Sequence, residues 1–348
     1  MASTSKNTVD LSAVSDPGHD ALSSQRDGFR ALKLACGVSE ACSRARIKLT
    51  GADRARWLNG MVTNNIRDLA AGHGVYAFLL NPQGHILADL YAYNRGEFLE
   101  IDTDLSLLEK ILAIFDHYII MDDVVVENVS EQSTTFTLAG PRAHTVMKAV
   151  GLLQQKLEPL EFLDQEWRGK RVTVIRIDNP AVESYQVWIA HTEADWLYRA
   201  LLEAGAQAVH PEAWELLRIA SGVPRYGQDI RERDLPQETE QQRALNFSKG
   251  CYIGQEIVER IRSRGSVHRT FTGFIVDGPL PPTGSKIQSE GKDVGEITSA
   301  ALVPLEDGII AAALGYIRRE QIGPDRELIC AGSSLRSAAL PFPQIWST

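Results

Sequence analysis

Apolar and polar positions follow strand-like and helix-like spacings along most of the chain. Residues 46–51 alternate as a half-buried strand does, and residues 52–60 follow as a short helix. Two apolar runs, residues 75–80 and 85–93, flank Asn81-Pro82-Gln83-Gly84. Pro and Gly stand there in the order that a β-turn requires. The pattern therefore predicts a strand–turn–strand unit.

The rest of the chain mixes short strands and short helices. Predicted strands cover residues 98–101, 124–129, 134–139, 171–177 and 185–190, and predicted helices cover residues 105–115, 142–150, 194–204 and 212–219. From Thr270 onward, short strands alternate with Gly and Pro, which is typical of a small all-β barrel. This mixture predicts an α+β fold rather than a doubly wound parallel sheet. No Gly-rich phosphate loop opens a helix, so dinucleotide binding has little support.

A chain of 348 residues is too long for one compact core, and we predict several segments. Residues 1–25 are rich in Ser, Asp, Thr and Ala and are predicted to be a disordered tail. The predicted remainder is a first α+β lobe at 26–135, a second at 136–210, a linking segment at 211–266 and a barrel at 267–348. We expect the chain to return to the first lobe near 210–265.

Composition narrows the class of protein. The chain is 44% hydrophobic and 23% charged, with a formal charge of −9. An acidic protein is poorly suited to unspecific contact with phosphate backbones, so we expect no direct nucleic-acid partner. No apolar run approaches the ~20 residues of a membrane span, and no signal-peptide pattern opens the chain. The four cysteines fit neither a metal knuckle nor a disulfide scaffold. We therefore predict a cytoplasmic protein without a membrane partner or a metal site.

Cys251 is the first candidate for chemistry. It lies between Gly250 and Gly254, just before a predicted helix, with Lys249 two positions away. Positive charge and a helix N-terminus both favour a thiolate, which can act as a nucleophile, a redox group or a transient metal ligand. The alternative is a buried cysteine that packs as a small hydrophobe. Flanking glycines favour the functional interpretation, because a packing position does not need them.

Asp89 is the second candidate. It follows the Asn81–Gly84 turn among the apolar residues Ile86, Leu87 and Leu90. An acid with such neighbours can be desolvated, which raises its pKa towards values useful in proton transfer. The alternative is an edge-strand carboxylate that faces water.

The segment Lys249-Gly250-Cys251-Tyr252-Ile253-Gly254-Gln255-Glu256 resembles the K-G-C-[FY]-x-G-Q-E signature of the YgfZ family. Residues 51–65 resemble that family's G-x-D-R-x-x-F-L-x-G-x-x-T-N-D segment. Residues 76–89 resemble the strand–turn–strand of the wider aminomethyltransferase superfamily, and residues 294–299 its V-G-x-[VI]-T-S barrel strand. The resemblance covers roughly residues 45 to 345.

The resemblance implies a three-lobed aminomethyltransferase-like ring with a C-terminal β-barrel domain, which holds tetrahydrofolate or a one-carbon derivative centrally. It implies catalytic roles for Cys251, Lys249 and Asp89. The cofactor-binding residues that it implies are Tyr76, Asp89, Asn64, Glu183 and Arg225. Transferases carry two adjacent acids where this chain has Ala88-Asp89.

Three hypotheses follow from the resemblance. The first is a folate-binding accessory protein that supports the assembly or repair of iron–sulfur client proteins, tRNA-modifying enzymes among them. The second is a folate-dependent aminomethyltransferase or demethylase, in which Asp89 orients the reactive amine. The third is a non-catalytic module that only binds folate. A stable cluster on this chain alone is not expected, because clusters generally need about four cysteine ligands.

Overall fold

The computed structural model describes residues 17–265, 267–323 and 326–347. Its helices are α1 (Pro17–Leu34), α2 (Arg54–Met61), α3 (Leu108–Tyr118), α4 (Ala143–Val150), α5 (Ala194–Glu203), α6 (Pro211–Ser221), α7 (Gln255–Arg264) and α8 (Pro343–Trp346). Its first eleven strands are β1 (Gly37–Glu40), β2 (Arg44–Thr50), β3 (His73–Leu80), β4 (Ile86–Asn94), β5 (Leu99–Asp104), β6 (Val125–Asn128), β7 (Ser133–Ala139), β8 (Phe162–Trp167), β9 (Lys170–Ile177), β10 (Ser184–Ala190) and β11 (Gln207–Ala208). Six more follow: β12 (Arg269–Asp277), β13 (Lys286–Ser289), β14 (Lys292–Leu305), β15 (Gly308–Arg318), β16 (Leu328–Cys330) and β17 (Ser333–Ala338).

The first lobe is a five-stranded antiparallel sheet in the order β3-β4-β5-β2-β6. One face of β3 and β4 presents small and aliphatic residues such as Ala77 and Leu90 to the core under α2 and α3. Trp57 of α2 and Phe115 of α3 meet there edge to face, with ring centroids 5.0 Å apart. Because side chains alternate along a strand, the other face of β3 and β4 is left for the site described below.

The second lobe is a six-stranded sheet in the order β11-β1-β7-β10-β9-β8, covered by α4 and α5. β1 pairs with β7 and β11, although residues 26–40 were predicted to belong to the first lobe. That boundary is corrected: the chain enters the second sheet first. A four-residue strand such as Gly37–Glu40 carries too short a pattern to be recognised locally.

The C-terminal segment forms a closed barrel in the order β12-β15-β14-β13-β16-β17. The helices α1 and α6 pack against it through a shared core that includes Phe29, Leu216 and Phe271. The α+β prediction and the barrel prediction are confirmed.

Part of the predicted tail is helical. The tail was predicted to end at residue 25, but the described part of α1 already covers Pro17–Leu34. The helix is held by Phe29 and Leu32, which are buried in the core. Residues 1–16 of the predicted tail lie outside the described residues.

Residues 222–254 connect α6 to α7 with two short 3₁₀ turns, Pro236–Thr239 and Gln242–Ala244. This segment lies against the first lobe, where the carbonyl of Asp234 accepts a hydrogen bond from the backbone N–H of Ile86 at 3.1 Å. In the part of the chain that the structure describes, no helix is long and apolar enough to cross a membrane.

Candidate functional site

A pair of polar side chains lies on the face of the first sheet opposite its helices. Tyr76 on β3 and Asp89 on β4 are diagonal neighbours, since Tyr76 pairs with Tyr91 and Phe78 pairs with Asp89. The Tyr76 hydroxyl donates a hydrogen bond to Asp89 Oδ2 at 2.8 Å. β4 is an interior strand, so Asp89 is half-buried rather than exposed at an edge.

Burial gives both groups unusual proton affinities. It raises the pKa of Asp89 above its ordinary value, although the hydrogen bond from Tyr76 acts in the opposite direction. Burial and the neighbouring Asp89 also raise the pKa of Tyr76 well above its ordinary value. The tyrosine is therefore a hydrogen-bond donor at neutral pH, and Asp89 is a carboxyl group that is costly to ionise.

This cost gives a prediction for stability. The folded protein keeps the Asp89 proton over a pH range in which the unfolded chain has lost it, so stability falls as pH rises through that range. We expect Asp89→Asn to raise the melting temperature of the ligand-free protein at pH 7. The gain should shrink as pH falls towards 3.8, the ordinary pKa of this carboxyl.

Asp53→Asn is the matched control for that measurement. The backbone N–H of Asp123 and the guanidinium of Arg56 lower the pKa of Asp53, so its ionised form stabilises the fold. The control should leave the melting temperature at pH 7 unchanged or lower it. A lower melting temperature for Asp89→Asn than for the native protein would contradict the assigned cost of ionising Asp89.

Two other segments complete the surroundings of this pair. The Arg243 guanidinium lies 4.5 Å from the centroid of the Tyr76 ring. It forms an ion pair with Asp178, which follows β9 of the second lobe. The Tyr91 ring lies 4.9 Å from the Tyr76 ring, and its hydroxyl donates to Asp178 Oδ1 at 3.4 Å. The cluster thus joins the first sheet, the connecting segment and the second lobe.

Asn64 lies beside this cluster in a positioning role. Its side-chain N–H₂ donates to the carbonyls of Tyr76 and Arg243, both at 2.8 Å. The adjacent Thr63 hydroxyl donates to Ala244 O at 2.6 Å and accepts from the N–H of Phe78 at 2.9 Å. The Thr63-Asn64 turn therefore binds β3 to the connecting segment, and the Asn64 amide nitrogen is committed to backbone.

Lys249 is also committed to backbone. Its side chain is buried, and its ammonium donates to the carbonyls of Asn59 and Val62 at 2.5 Å and of Asn64 at 2.8 Å. Burial lowers the pKa of Lys249 to about 7, while the three acceptors favour the protonated form. An ammonium has three N–H groups, and all three are accounted for. These bonds fasten the end of α2 to the segment that carries Cys251, and an effect of Lys249 on the Cys251 thiol stays a prediction.

Cys251 is exposed, as the functional interpretation requires. It lies four residues before α7, whose first turn is set against the β3–β4 turn by Gly254. A Cβ on Gly254 would lie 2.6 Å from Asn81 O, and the residue has φ +81°, so glycine is required there. Gly250 has no atom within 4 Å of such a Cβ. Only one of the two flanking glycines is therefore explained by packing.

The other two predicted binding residues, Glu183 and Arg225, are bonded to other side chains. Glu183 accepts hydrogen bonds from Lys156 at 2.6 Å and Tyr185 at 2.7 Å. Burial alone would raise the pKa of Glu183, but these bonds outweigh it and lower the pKa. Glu183 does share the β9–β10 connection with Asp178. Arg225 pairs with Glu215 of α6 at 2.7 Å, which directs it towards the barrel side.

Tyr91, Asp178 and Arg243 are the site residues that sequence reasoning missed. Tyr91 carried a usable signal, because it is two residues from Asp89 on the same strand and so shares its face. Asp178 and Arg243 lie in irregular segments, where no periodicity indicates direction. Within the described ranges, no group of three or more His, Cys, Asp or Glu side chains could hold a metal ion.

The two sheets, the barrel and the polar cluster between the lobes define an aminomethyltransferase-like fold. A crystal structure of the glycine cleavage system aminomethyltransferase T from Bartonella henselae matches it with a TM-score of 0.81. The match covers 92% of this chain and 90% of that chain at 20% sequence identity. At this identity the match shows a shared fold only. The chain belongs to the family described as the GCVT N-terminal domain, whose model matches residues 17–249.

Curated relatives agree with this assignment. An aminomethyltransferase of Thermus thermophilus is 25% identical over 325 residues, which cover 90% of this chain and 88% of the relative. That of Halalkalibacterium halodurans is 24% identical over 320 residues, or 87% and 85% of the two chains. A chloroplastic protein of Arabidopsis thaliana with a provisional transferase name is 26% identical over 277 residues. That match spans 79% of this chain but only 63% of the Arabidopsis protein.

Proposed function

We propose that this protein is a cytoplasmic, tetrahydrofolate-binding accessory protein of the YgfZ type. Its partners are iron–sulfur client proteins, tRNA-modifying enzymes among them, whose clusters it helps to assemble or repair. The K-G-C-Y-I-G-Q-E segment supports the YgfZ assignment, because its cysteine is exposed and its Lys249 and Gly254 both have defined structural roles. Family membership supports the folate part of the proposal.

The observation that carries the proposal is the half-buried Asp89 beside Tyr76, at the contact of the two lobes. A reduced pterin has a flat pyrimidine ring with several N–H donors along one edge. Asp89 offers an acceptor for such donors, and the rings of Tyr76 and Tyr91 offer aromatic surface beside it. The residues present therefore fit the pterin group. When bound, the folate supplies a carrier for one-carbon units.

Cys251 is the working residue in this proposal. As an exposed thiol it is available as a nucleophile, a redox group or a transient metal ligand. Cys42 is also exposed, whereas Cys36 and Cys330 are buried. Cys42 therefore serves as an internal control for the effects of replacing an accessible thiol.

Folate binding gives the first test. We expect tetrahydrofolate to raise the melting temperature in proportion to the logarithm of its concentration above the dissociation constant, because it binds only the folded state. Asp89→Asn and Tyr76→Phe should weaken binding by about tenfold or more, the usual effect of removing a hydrogen bond to a charged or polar partner. The control Asp53→Asn should bind as the native protein does. No shift at saturating folate would contradict the proposal.

Complementation gives the second test. In a strain that lacks its own YgfZ-type protein, we expect the native chain and Cys42→Ser to restore iron–sulfur enzyme activity, and Cys251→Ser to fail. The Cys251→Ser protein should still bind tetrahydrofolate, which separates loss of chemistry from loss of the fold. Full rescue by Cys251→Ser would remove the thiol from the function and favour a module that only binds folate.

A folate-dependent aminomethyltransferase or demethylase is the second candidate. The raised pKa of Asp89 favours this function, because such a carboxyl group can orient an amine or accept a proton from it. The names of the bacterial relatives also favour it. Transfer of a one-carbon unit from an aminomethyl-carrying partner to tetrahydrofolate, lost in Asp89→Asn but kept in Cys251→Ser, would establish this function instead.

A further inference from the structure

A cavity lies between the two lobes, further along the face of the first sheet that carries Tyr76. Its volume is about 740 Å³, within the range of small-molecule sites. It is bounded by β2 and β5 of the first lobe and by β8, β9 and β10 of the second. Its lining includes Arg46, Phe98, Gln132, Gln165, Arg171 and Trp188. We call it the interlobe cavity.

An aromatic cluster separates the interlobe cavity from the Tyr76–Asp89 pair. Tyr93 packs edge to face against Trp188 and Phe162, with ring centroids 5.7 and 5.8 Å apart. Tyr91 of the first site stacks on Tyr93, at 6.5 Å. A row of aromatic rings thus runs from Tyr76 through Tyr91 and Tyr93 to Trp188 in the wall of the cavity.

Arg46 lines the cavity and is almost wholly buried, with 3% of its surface exposed. Its guanidinium lies over the Trp188 ring, 4.7 Å from the centroid, and Nη2 donates to Ser133 O. Among the described residues, Nε has no acceptor. A buried guanidinium that uses so few of its five N–H groups is unusual, because buried charges are ordinarily paired.

The nearest acids are bonded to other arginines. The two carboxylate oxygens of Asp102 form a bidentate ion pair with the Arg44 guanidinium, with N–O distances of 2.5 and 3.1 Å. Glu100 forms an ion pair with Arg95. Burial lowers the pKa of Arg46, although Asp102 and Glu100 act against this change at longer range. Arg46 is thus a desolvated cation without a carboxylate of its own.

The rim of the cavity is mixed in charge. Arg171 lies directly across from Glu166 on the β8–β9 pair, and Asp164 is bound by Arg95 at 2.6 Å. These rim charges largely offset one another, so Arg46 is the cation left for a ligand, which suits a ligand with a single anionic group. The half-buried Phe98 gives the rest of such a ligand an apolar contact.

We propose that the interlobe cavity binds a small organic anion whose single carboxylate or phosphate group pairs with Arg46. Arg171 at the rim assists its entry, and the body of the ligand lies against Phe98. Guanidinium groups bind both oxyanions through parallel N–H donors, so this chemistry does not distinguish the two.

Matched aromatic probes test the proposal on the whole chain by isothermal titration calorimetry. Benzoate and phenyl phosphate carry the two oxyanions on one apolar body, and benzamide is their neutral counterpart. We expect saturable binding of at least one anion and none of benzamide. The preferred anion identifies the natural ligand as a carboxylate or a phosphate.

Variants locate the binding. Arg46→Gln should weaken it by about tenfold or more, and Arg171→Gln by a few-fold, as expected for losing a charged partner. Arg46→Lys, which keeps the buried charge, replaces Arg46→Gln if that protein does not fold, and it should still lose several-fold because one ammonium cannot make the paired contact. Arg199→Gln, on the exposed side of α5, should bind as the native protein does.

Asp89→Asn should also bind the anion normally, which keeps this result independent of folate binding. Absence of saturable binding by both anions would overturn the proposal. So would binding that is equal for benzamide, or that survives the Arg46 and Arg171 substitutions unchanged.

Discussion

Lys249→Met should lower the free energy of unfolding by about 3 kcal/mol, because it leaves three carbonyl groups, two of them in buried bonds, without their donor. Methionine nearly preserves the volume and the flexible stem of lysine, so the loss isolates the ammonium. The carbonyls of Asn59 and Val62 lie at the end of α2. The last carbonyls of a helix have no N–H donor within the helix, so they need a donor from elsewhere. Chemical denaturation of the two proteins measures the difference.

Arginine should not rescue this position. Its planar guanidinium is larger and fixes its N–H groups in a fork, whereas the three carbonyls of Asn59, Val62 and Asn64 surround a point charge. We therefore expect Lys249→Arg to be destabilised as well. Lys148→Met, on the exposed side of α4, is the control and should stay within about 0.5 kcal/mol of the native protein. A similar small change for Lys249→Met would contradict the fastening role.

This fastening role of Lys249 could not be predicted from the sequence. A lysine two residues from a cysteine predicts an electrostatic partner for the thiol, because sequence distance is the only distance available. In the folded chain the ammonium bonds to residues far earlier in the sequence, 187 positions for Val62 and 190 for Asn59. Long-range contacts with backbone carbonyls leave no trace in side-chain pattern.

Regular elements were predictable where the pattern was long. The strand–turn–strand around Asn81–Gly84, the helices α4 and α5 and the change to all-β structure after Thr270 follow from local periodicity and turn chemistry. Short strands such as β1 and β11 were not, since they exist only because the second sheet offers them a partner. The helix α1 was missed because its first residues share the polar composition of the tail.

Tyr76 and Asp89 were expected from the resemblance to the family, and local strand geometry accounts for how their side chains meet. Tyr76 and Asp89 lie on strands whose alternation fixes which way each side chain faces, and their bond follows from the register. Arg243 and Asp178 meet only because two irregular segments from different parts of the chain converge. Their pairing depends on tertiary structure that no local rule describes.

The glycines around Cys251 allow a paired test of which residue shapes this segment. Gly254→Ala should lower the free energy of unfolding by about 3 kcal/mol, from two causes that add. Its φ of +81° costs a non-glycine residue about 1–2 kcal/mol. The new Cβ would also lie 2.6 Å from the backbone oxygen of Asn81, so the β3–β4 turn must shift. Chemical denaturation measures this loss.

Gly250→Ala is the control, in the same segment and directly between Lys249 and Cys251. Its φ lies outside the left-handed region, and a Cβ there meets no atom within 4 Å. We expect stability to stay the same or to rise by about 0.5 kcal/mol, because alanine restricts the unfolded chain. Equal losses of stability for the two substitutions would contradict this prediction. The close approach of Gly254 to the β3–β4 turn would then not distinguish the two glycines. The expected asymmetry instead leaves Gly250 as the glycine whose presence packing does not require, immediately before the exposed thiol.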